Sequence, residues 1–279
     1  MIGKKIKAER KKRGLTQSAL AGDKITRNML SRIESESATP SLDTLEYIAK
    51  RLSLPVSYLL ADECDENAYV RMAAMPKIRA AYRDGDYAYA IKLGKEVAEL
   101  DDELALILAY SNFNLGKAAT LSGALKSGAS YLKESLKYSK ETIYDTAKIE
   151  CAVPLYSALC SNIQSPLLEF DARGFLDAFR DVNELEFYNY LTLNFDYVYS
   201  NTAYSEHLEA KRLINGRDYQ KALAILLPLV DEIRRLGYNA YMMLSVYTDV
   251  ESCYRQIQDF ENAYKYARKR MSLGEGFNS

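Results

Sequence analysis

Arg27 and Asn28 stand next to each other, directly after a threonine, in the stretch ITRNMLSRIE. Both carry planar, forked polar groups. A guanidinium matches the O6 and N7 edge of guanine, and a carboxamide matches the N6 and N7 edge of adenine. If Thr26 opens a helix, Arg27, Asn28, Met29, Ser31 and Arg32 share a short basic face of the size a DNA major groove admits, while Leu30 and Ile33 turn inward. The bland reading of the same residues is an ordinary solvated helix face.

Other chemistries find no matching residues. The chain has one histidine, His207, with no motif around it, no glycine-rich phosphate loop and no GxSxG. Its four cysteines, Cys64, Cys151, Cys160 and Cys253, form no CxxC pair and join His207 at no zinc-ligand spacing. No enzyme activity, metal or cofactor is expected. No run of about eighteen apolar residues and no signal-peptide pattern is present, so the expectation is a cytoplasmic protein that meets no membrane.

The elements that must position the reading face follow from capping and periodicity. Thr16, Thr26 and Ser41 each precede an apolar pattern of helical spacing and can accept from the first free backbone N–H groups. They mark helices beginning at Gln17, Arg27 and Leu42. A first helix is predicted over Ile2–Arg13 with Ile2 and Ile6 as its apolar strip. Leu15, Leu20, Ile25, Leu30 and Ile33 are predicted to close one small core, joined by Leu42, Leu45, Ile48, Ala49 and Leu52 from the helix after Ser41. Gln17, at a helix start, can hold a phosphate oxygen with its amide and the free N–H groups there.

Charge separates the chain into two parts. Residues 1–60 hold twelve Lys and Arg against six Asp and Glu, a balance of +6; the whole chain carries −1, so residues 61–279 carry −7. A basic head on an acidic body places contact with an anionic polymer on the head. The acidic stretch DECDEN, residues 62–67, suggests a boundary, giving a head over 1–65 and a body over 66–279.

Helical periodicity dominates the body and no strand pattern is evident. Gly85-Asp86-Tyr87-x-x-Ala90, Asp218-Tyr219-x-x-Ala222 and Asp259-Phe260-x-x-Ala263 each end one amphipathic helix and begin another. The first two aspartates lie 132 residues apart, four units of 33, close to the ~34-residue helix-turn-helix unit of tetratricopeptide repeats. The aromatic residue is expected to fill the angle between paired helices, and the alanine to let them approach. Residues 119–130 lack this signal and read as a longer helix-loop. Pro76 is expected to start or kink a helix, and Pro154, Pro166 and Gly174 to interrupt the apolar, Tyr-rich stretch 143–200. Twenty-three tyrosines and no tryptophan fit either interhelix packing or a polar-aromatic groove.

GLTQ, the following Leu-Ala, the Thr26-capped helix, RIE and the TPSL start together resemble the helix-turn-helix of lambda-repressor (Cro/C1, XRE) type over about residues 2–61. Between Ala21 and Thr26 the stretch GDKI is one residue shorter than that family's usual pattern. The resemblance implies an all-α fold, with a lambda-repressor-like head followed by a tetratricopeptide-like α-solenoid. It implies DNA contacts from Gln17, Thr26, Arg27, Asn28, Met29, Ser31 and Arg32, and an ion pair of Arg10 with Glu34 that orients the reading helix. With the repeats, the chain is similar to the PlcR and Rgg-like quorum-sensing regulators. In those families the first helix of each repeat lines a concave face that takes up a short peptide. That pattern puts Arg79, Tyr82, Tyr110, Asn114, His207 and Lys211 on the inner wall. The implied protein is a homodimeric transcription regulator binding double-stranded DNA, its body sensing an intracellular signal such as a short peptide. The rival reading is a DNA-bound scaffold whose repeats dock a partner protein without a small ligand.

Overall fold

The computed structural model describes residues 2–61, 63–163, 182–236 and 239–276. Among them every regular element is a helix: α1 Ile2–Lys12, α2 Gln17–Ala21, α3 Arg27–Glu34, α4 Leu42–Arg51, α5 Val56–Leu60, α6 Glu63–Arg83, α7 Tyr87–Lys95, α8 Asp102–Ser122, α9 Leu125–Ser139, α10 Ala147–Ser161, α11 Val182–Leu191, α12 Thr202–Asn215, α13 Tyr219–Leu236, α14 Ala240–Gln256 and α15 Phe260–Gly276. They form two compact units, residues 1–76 with 96–99, and residues 77–95 with 100–279.

In the first unit all three hydroxyl caps form. Thr16 accepts from the Ala19 N–H at 3.0 Å, Thr26 from Met29 at 3.1 Å and Ser41 from Thr44 at 3.4 Å. Each satisfies an N–H group that a helix start leaves without a partner. The turn between α2 and α3 closes on Gly22, whose φ of +57° is open to glycine and strained for other residues. A Cβ there would also lie 2.3 Å from the Tyr47 hydroxyl. Ile6, Leu20, Ile25, Leu30, Ile33, Leu45, Ile48, Ala49, Leu52 and Leu59 form the core, with Leu15 packed at its rim. Leu42, expected in that core, is 62% exposed. As the first residue of α4, beside its Ser41 cap, it stands outside the buried stripe.

In the second unit α7 to α10 and α12 to α15 each pack against the next helix in sequence, and α8 also meets α10 and α14. This is the stacking of an α-solenoid. The repeated turn is physically the same at all three predicted places. Gly85, Arg217 and Gln258 adopt φ of 78°, 61° and 65°. The next residue, always Asp, donates its N–H back to Ala81, Leu213 or Tyr254 at 2.9, 2.8 and 2.9 Å. These are Schellman closures of the first helix, and the aspartate then begins the second. Asp86 and Asp259 cap α7 and α15 through the N–H groups of Tyr89 and Asn262. Ala90, Ala222 and Ala263 are buried between the paired helices.

Three expectations are corrected. Phe260 does not fill an interhelix angle and is 65% exposed, whereas Tyr87 lies against Tyr82 with ring centroids 5.8 Å apart. Residues 119–130 contain the same turn rather than a long loop. Gly123, at φ +90°, is followed by the Ala124 N–H bonding to the Ala119 carbonyl at 2.9 Å. Pro154 lies inside α10 and does not interrupt it, and Pro76 lies inside α6, which leaves of its two expected roles only the kink. Pro166 and Gly174 lie outside the described residues.

Tyrosines make much of the second unit's core. Tyr156 stacks on Phe187, Tyr190 stacks on Tyr204 with centroids 4.4 Å apart, and Tyr241 meets both Phe187 and Tyr190 edge-on. Such ring pairs add about 0.5–1.5 kcal/mol each beyond the area they bury.

Candidate nucleic-acid interface

Helix α3 is held from behind by a buried ion pair. Arg10 on α1 donates from Nε to Glu34 Oε1 at 2.6 Å and from Nη2 to Oε2 at 3.0 Å, and its Nη1 donates to the Leu15 carbonyl at 2.7 Å. Burial pushes the Glu34 carboxyl up. The hydrogen bonds from Arg10 and Gln17 and the charges of Arg10 and Lys7 outweigh it and leave the group below the usual carboxylate range. Arg10 is raised, chiefly by its hydrogen bond to Glu34. The predicted pair is present, and it fixes the last turn of α3 to α1 at two points.

Gln17, expected at a phosphate, also reaches inward. Its amide Nε2 donates to Glu34 Oε2 at 2.9 Å. That joins the start of α2 to the same carboxylate. The α2–α3 unit is further held by α4, where Tyr47 donates to the Ala21 carbonyl at 3.1 Å and Arg51 to the Ala19 carbonyl at 2.6 Å.

The outer face of α3 is open. Thr26, Arg27, Asn28, Met29 and Arg32 are exposed and Ser31 is partly so, whereas Leu30, Ile33 and Glu34 are buried. Arg27, Asn28 and Arg32 have no ion pair or side-chain hydrogen bond among the described residues. Their donors are therefore unspent, on a backbone fixed by caps, a glycine turn and the Arg10–Glu34 bridge. Such a face can place two forked groups against base edges without first breaking internal bonds.

Two positioning features carry no sequence motif. Gly3 sits where α1 crosses the end of α3, and a Cβ there would lie 1.9 Å from the Ile33 carbonyl oxygen. Lys5, which reads as solvated, donates to the Ala61 carbonyl at 2.6 Å and lies 5.6 Å from the centre of the Tyr58 ring. Spacing alone reports neither, because both depend on how closely two helices cross.

The six residues expected on an inner wall fall into two places within the second unit. Tyr82 and Tyr110 lie within electrostatic reach of each other and of Lys148; burial raises both phenols, and nearby phenol and carboxylate groups add to this. Asn114, one turn from Tyr110, donates Nδ2 to the Tyr110 carbonyl at 2.9 Å. Arg79, one turn before Tyr82, is bound at two points to Glu103, both at 2.6 Å.

His207 and Lys211 are elsewhere, and His207 is not on an open wall. It is fully buried, with Nδ1 2.6 Å from the Tyr190 hydroxyl and Nε2 2.8 Å from Asp249 Oδ2, the oxygen that Lys211 also holds at 2.6 Å. Burial lowers the imidazole pKa, with Lys211 adding to the effect and Asp249 opposing it. Asp249 stays low because His207 and Lys211 outweigh its burial. A neutral ring donating to Asp249 and accepting from Tyr190 satisfies every partner. Both ring nitrogens are thus used inside the protein.

Residues 6–59 match the helix-turn-helix family model HTH_3. The head is a helix-turn-helix domain. Over 63 residues, 22% of the chain, the sequence is 43% identical to the immunity repressor protein of Bacillus phage phi105; the match spans 44% of the repressor's own length. Among solved structures, the chain is similar to Bacillus thuringiensis PlcR in complex with the peptide PapR7 and DNA. That likeness has 18% identity over 99% of this chain and 95% of that one, with a TM-score of 0.24. It is similar also to ComR from S. thermophilus in complex with DNA and its signalling peptide ComS, at 17% identity over 98% and 100% of the two chains, again with a TM-score of 0.24. Among the described residues no helix is long and apolar enough to cross a membrane.

Proposed function

We propose that the chain is a sequence-specific DNA-binding transcription regulator that acts in the cytoplasm as a homodimer and is not an enzyme. The observation that carries this reading is the pairing of an exposed, unspent Arg27–Asn28–Arg32 face with a buried clamp that fixes its helix. A solvated surface needs no such clamp. One small head makes few phosphate contacts, and two heads on half-sites about one helical turn apart supply both affinity and register. The head, 1–65, reads the duplex through Arg27, Asn28, Met29, Ser31 and Arg32, with Gln17 and Thr26 near the backbone. The body, 66–279, supplies the second copy and the signal.

The signal is a short peptide in this reading. Tyr82 on α6, Tyr110 and Asn114 on α8, and Lys148 on α10 bring aromatic faces, an amide and a cation to alternate helices. An amide that both donates and accepts suits a peptide backbone. A peptide changes DNA affinity only if it prefers one arrangement of the dimer. The test is selection of duplexes from a random library by the full chain, followed by sedimentation of the complex with and without peptide extracts. A two-fold symmetric site bound by two chains supports the reading. A full chain that selects no sequence removes it, and one whose DNA affinity ignores every extract leaves only the scaffold form.

A further inference from the structure

Helices α13, α14 and α15 enclose an open cleft of about 720 Å³, lined among others by Arg234, Tyr247, Glu261, Tyr264, Lys265, Arg268 and Lys269. Four cations face one carboxylate there, in a body whose overall balance is −7. The excess is local and needs a local explanation.

Most other cations on and beside these helices are matched with carboxylates, Arg235 excepted. Lys211 holds Asp249, Lys221 holds Asp218, and Arg255 and Arg270 both clamp the buried Glu251, Arg270 at 2.9 Å. Arg270 is the immediate neighbour of Lys269. Lys265, Arg268 and Lys269 have no ion pair among the described residues. Lys269 lies 4.2 Å above the Tyr266 ring and 5.9 Å from the Tyr247 ring, so rings take the place of a counter-ion. Arg234 donates to the Tyr247 hydroxyl at 2.9 Å and reaches Asp231 only at 3.7 Å. Burial, with Lys265 and Arg234 close by, lowers the Lys269 ammonium, as expected of positive charge gathered without an anion.

We infer that this cleft is a binding site for a small multivalent anion, either a phosphorylated or a polycarboxylate metabolite. The volume is that of a small-molecule site and not of a polymer groove. Ammonium and guanidinium groups on adjacent turns of α15, facing Arg234 across the cleft, can share several anionic oxygens by charge-assisted hydrogen bonds. The exposed Tyr264 ring at the rim offers a flat face to any attached apolar group. The site lies apart from Tyr82, Tyr110 and Asn114, and its occupancy does not depend on DNA reading.

The experiment is calorimetric titration of the full chain with inorganic pyrophosphate, ATP and citrate at one fixed ionic strength. Wild type should bind at least one of the three at millimolar concentration or below. Lys265→Gln and Arg268→Gln, both exposed and so harmless to the fold, should each weaken it by about tenfold. Lys133→Gln with Lys137→Gln on α9, and Arg27→Ala on the head, should leave it unchanged. Binding of pyrophosphate or ATP but not citrate identifies phosphate chemistry, and the reverse pattern identifies carboxylates. No heat with any of the three overturns the inference. So does binding that the two cleft variants leave intact or that Arg27→Ala abolishes.

Discussion

Arg10 and Glu34 are bound at two points, at 2.6 and 3.0 Å, across twenty-three intervening residues, with both side chains buried between α1 and the end of α3. The bridge joins the charge pattern of the first helix to the aim of the reading helix. Glu34 also takes the Gln17 amide, so one carboxylate collects three helices.

Removing one partner leaves the other charge buried. Arg10→Ala or Glu34→Ala should therefore destabilise the head by about 3–5 kcal/mol, well above the ~0–1 kcal/mol of a surface pair. A double-mutant cycle in urea, read on the head's transition in the full chain, should show strong coupling. Reversing both charges should recover only part of the loss, because the Leu15 carbonyl and the Gln17 amide then face the wrong partners. Additive losses would remove the pair from its orienting role.

Acid should act through the same group. Glu34 has a lowered pKa in the folded head, so its stabilisation is complete above the ordinary Glu value of about 4.3 and is lost as pH falls through the folded value. Glu9, also lowered against its burial by Arg13, Tyr58 and Lys12, works in the same direction. Urea midpoints of the head's transition should be flat near neutrality and fall below about pH 4. In Glu34→Gln the acid slope should be shallower. An unchanged slope would show that other carboxylates dominate.

Gly3→Ala tests whether close approach sets the α1–α3 crossing. Helix propensity alone favours Ala by about 1 kcal/mol. The added Cβ meets a backbone carbonyl, which cannot rotate away, so the expected outcome is a net loss of about 1–3 kcal/mol. A stabilised head in thermal unfolding would contradict the crossing geometry.

In the body, His207→Ala would take the acceptor from the Tyr190 hydroxyl and one of two donors from Asp249 Oδ2, and should lower stability by about 2–4 kcal/mol. The folded imidazole pKa is depressed, so its contribution is complete above the unfolded value of about 6.5 and declines as pH falls from there through the folded value. Wild type should lose stability over that window and His207→Ala should not. Equal pH dependence in both would assign the slope to other groups.

The head was legible because each signal is local. Thr16, Thr26 and Ser41 cap the helices they precede, and Arg10 and Glu34 sit at spacings the family resemblance had already joined. The Asp86, Asp218 and Asp259 turns were legible for the same reason, since one residue both closes the Schellman turn with its backbone N–H and starts the next helix. At Gly123–Ala124 the backbone makes that turn with no capping side chain, so the sequence carried only a glycine. His207 and Gly3 were illegible as to their roles. One depends on repeat register and the other on a distance between helices far apart in sequence. The cleft of α13, α14 and α15 was hidden because the cations of α15 look solvated until their neighbours' pairing is known.

The central claim is that α3 reads DNA, and its most direct measurement is affinity of the full chain for a library-selected duplex and for a scrambled one, at one fixed salt concentration. Arg27→Ala and Asn28→Ala should each cost about 1–3 kcal/mol on the selected duplex and relax discrimination at one base pair, with little change on the scrambled one. Gln17→Ala should weaken both duplexes alike. Unchanged affinity for the selected duplex in both Arg27→Ala and Asn28→Ala would contradict the account.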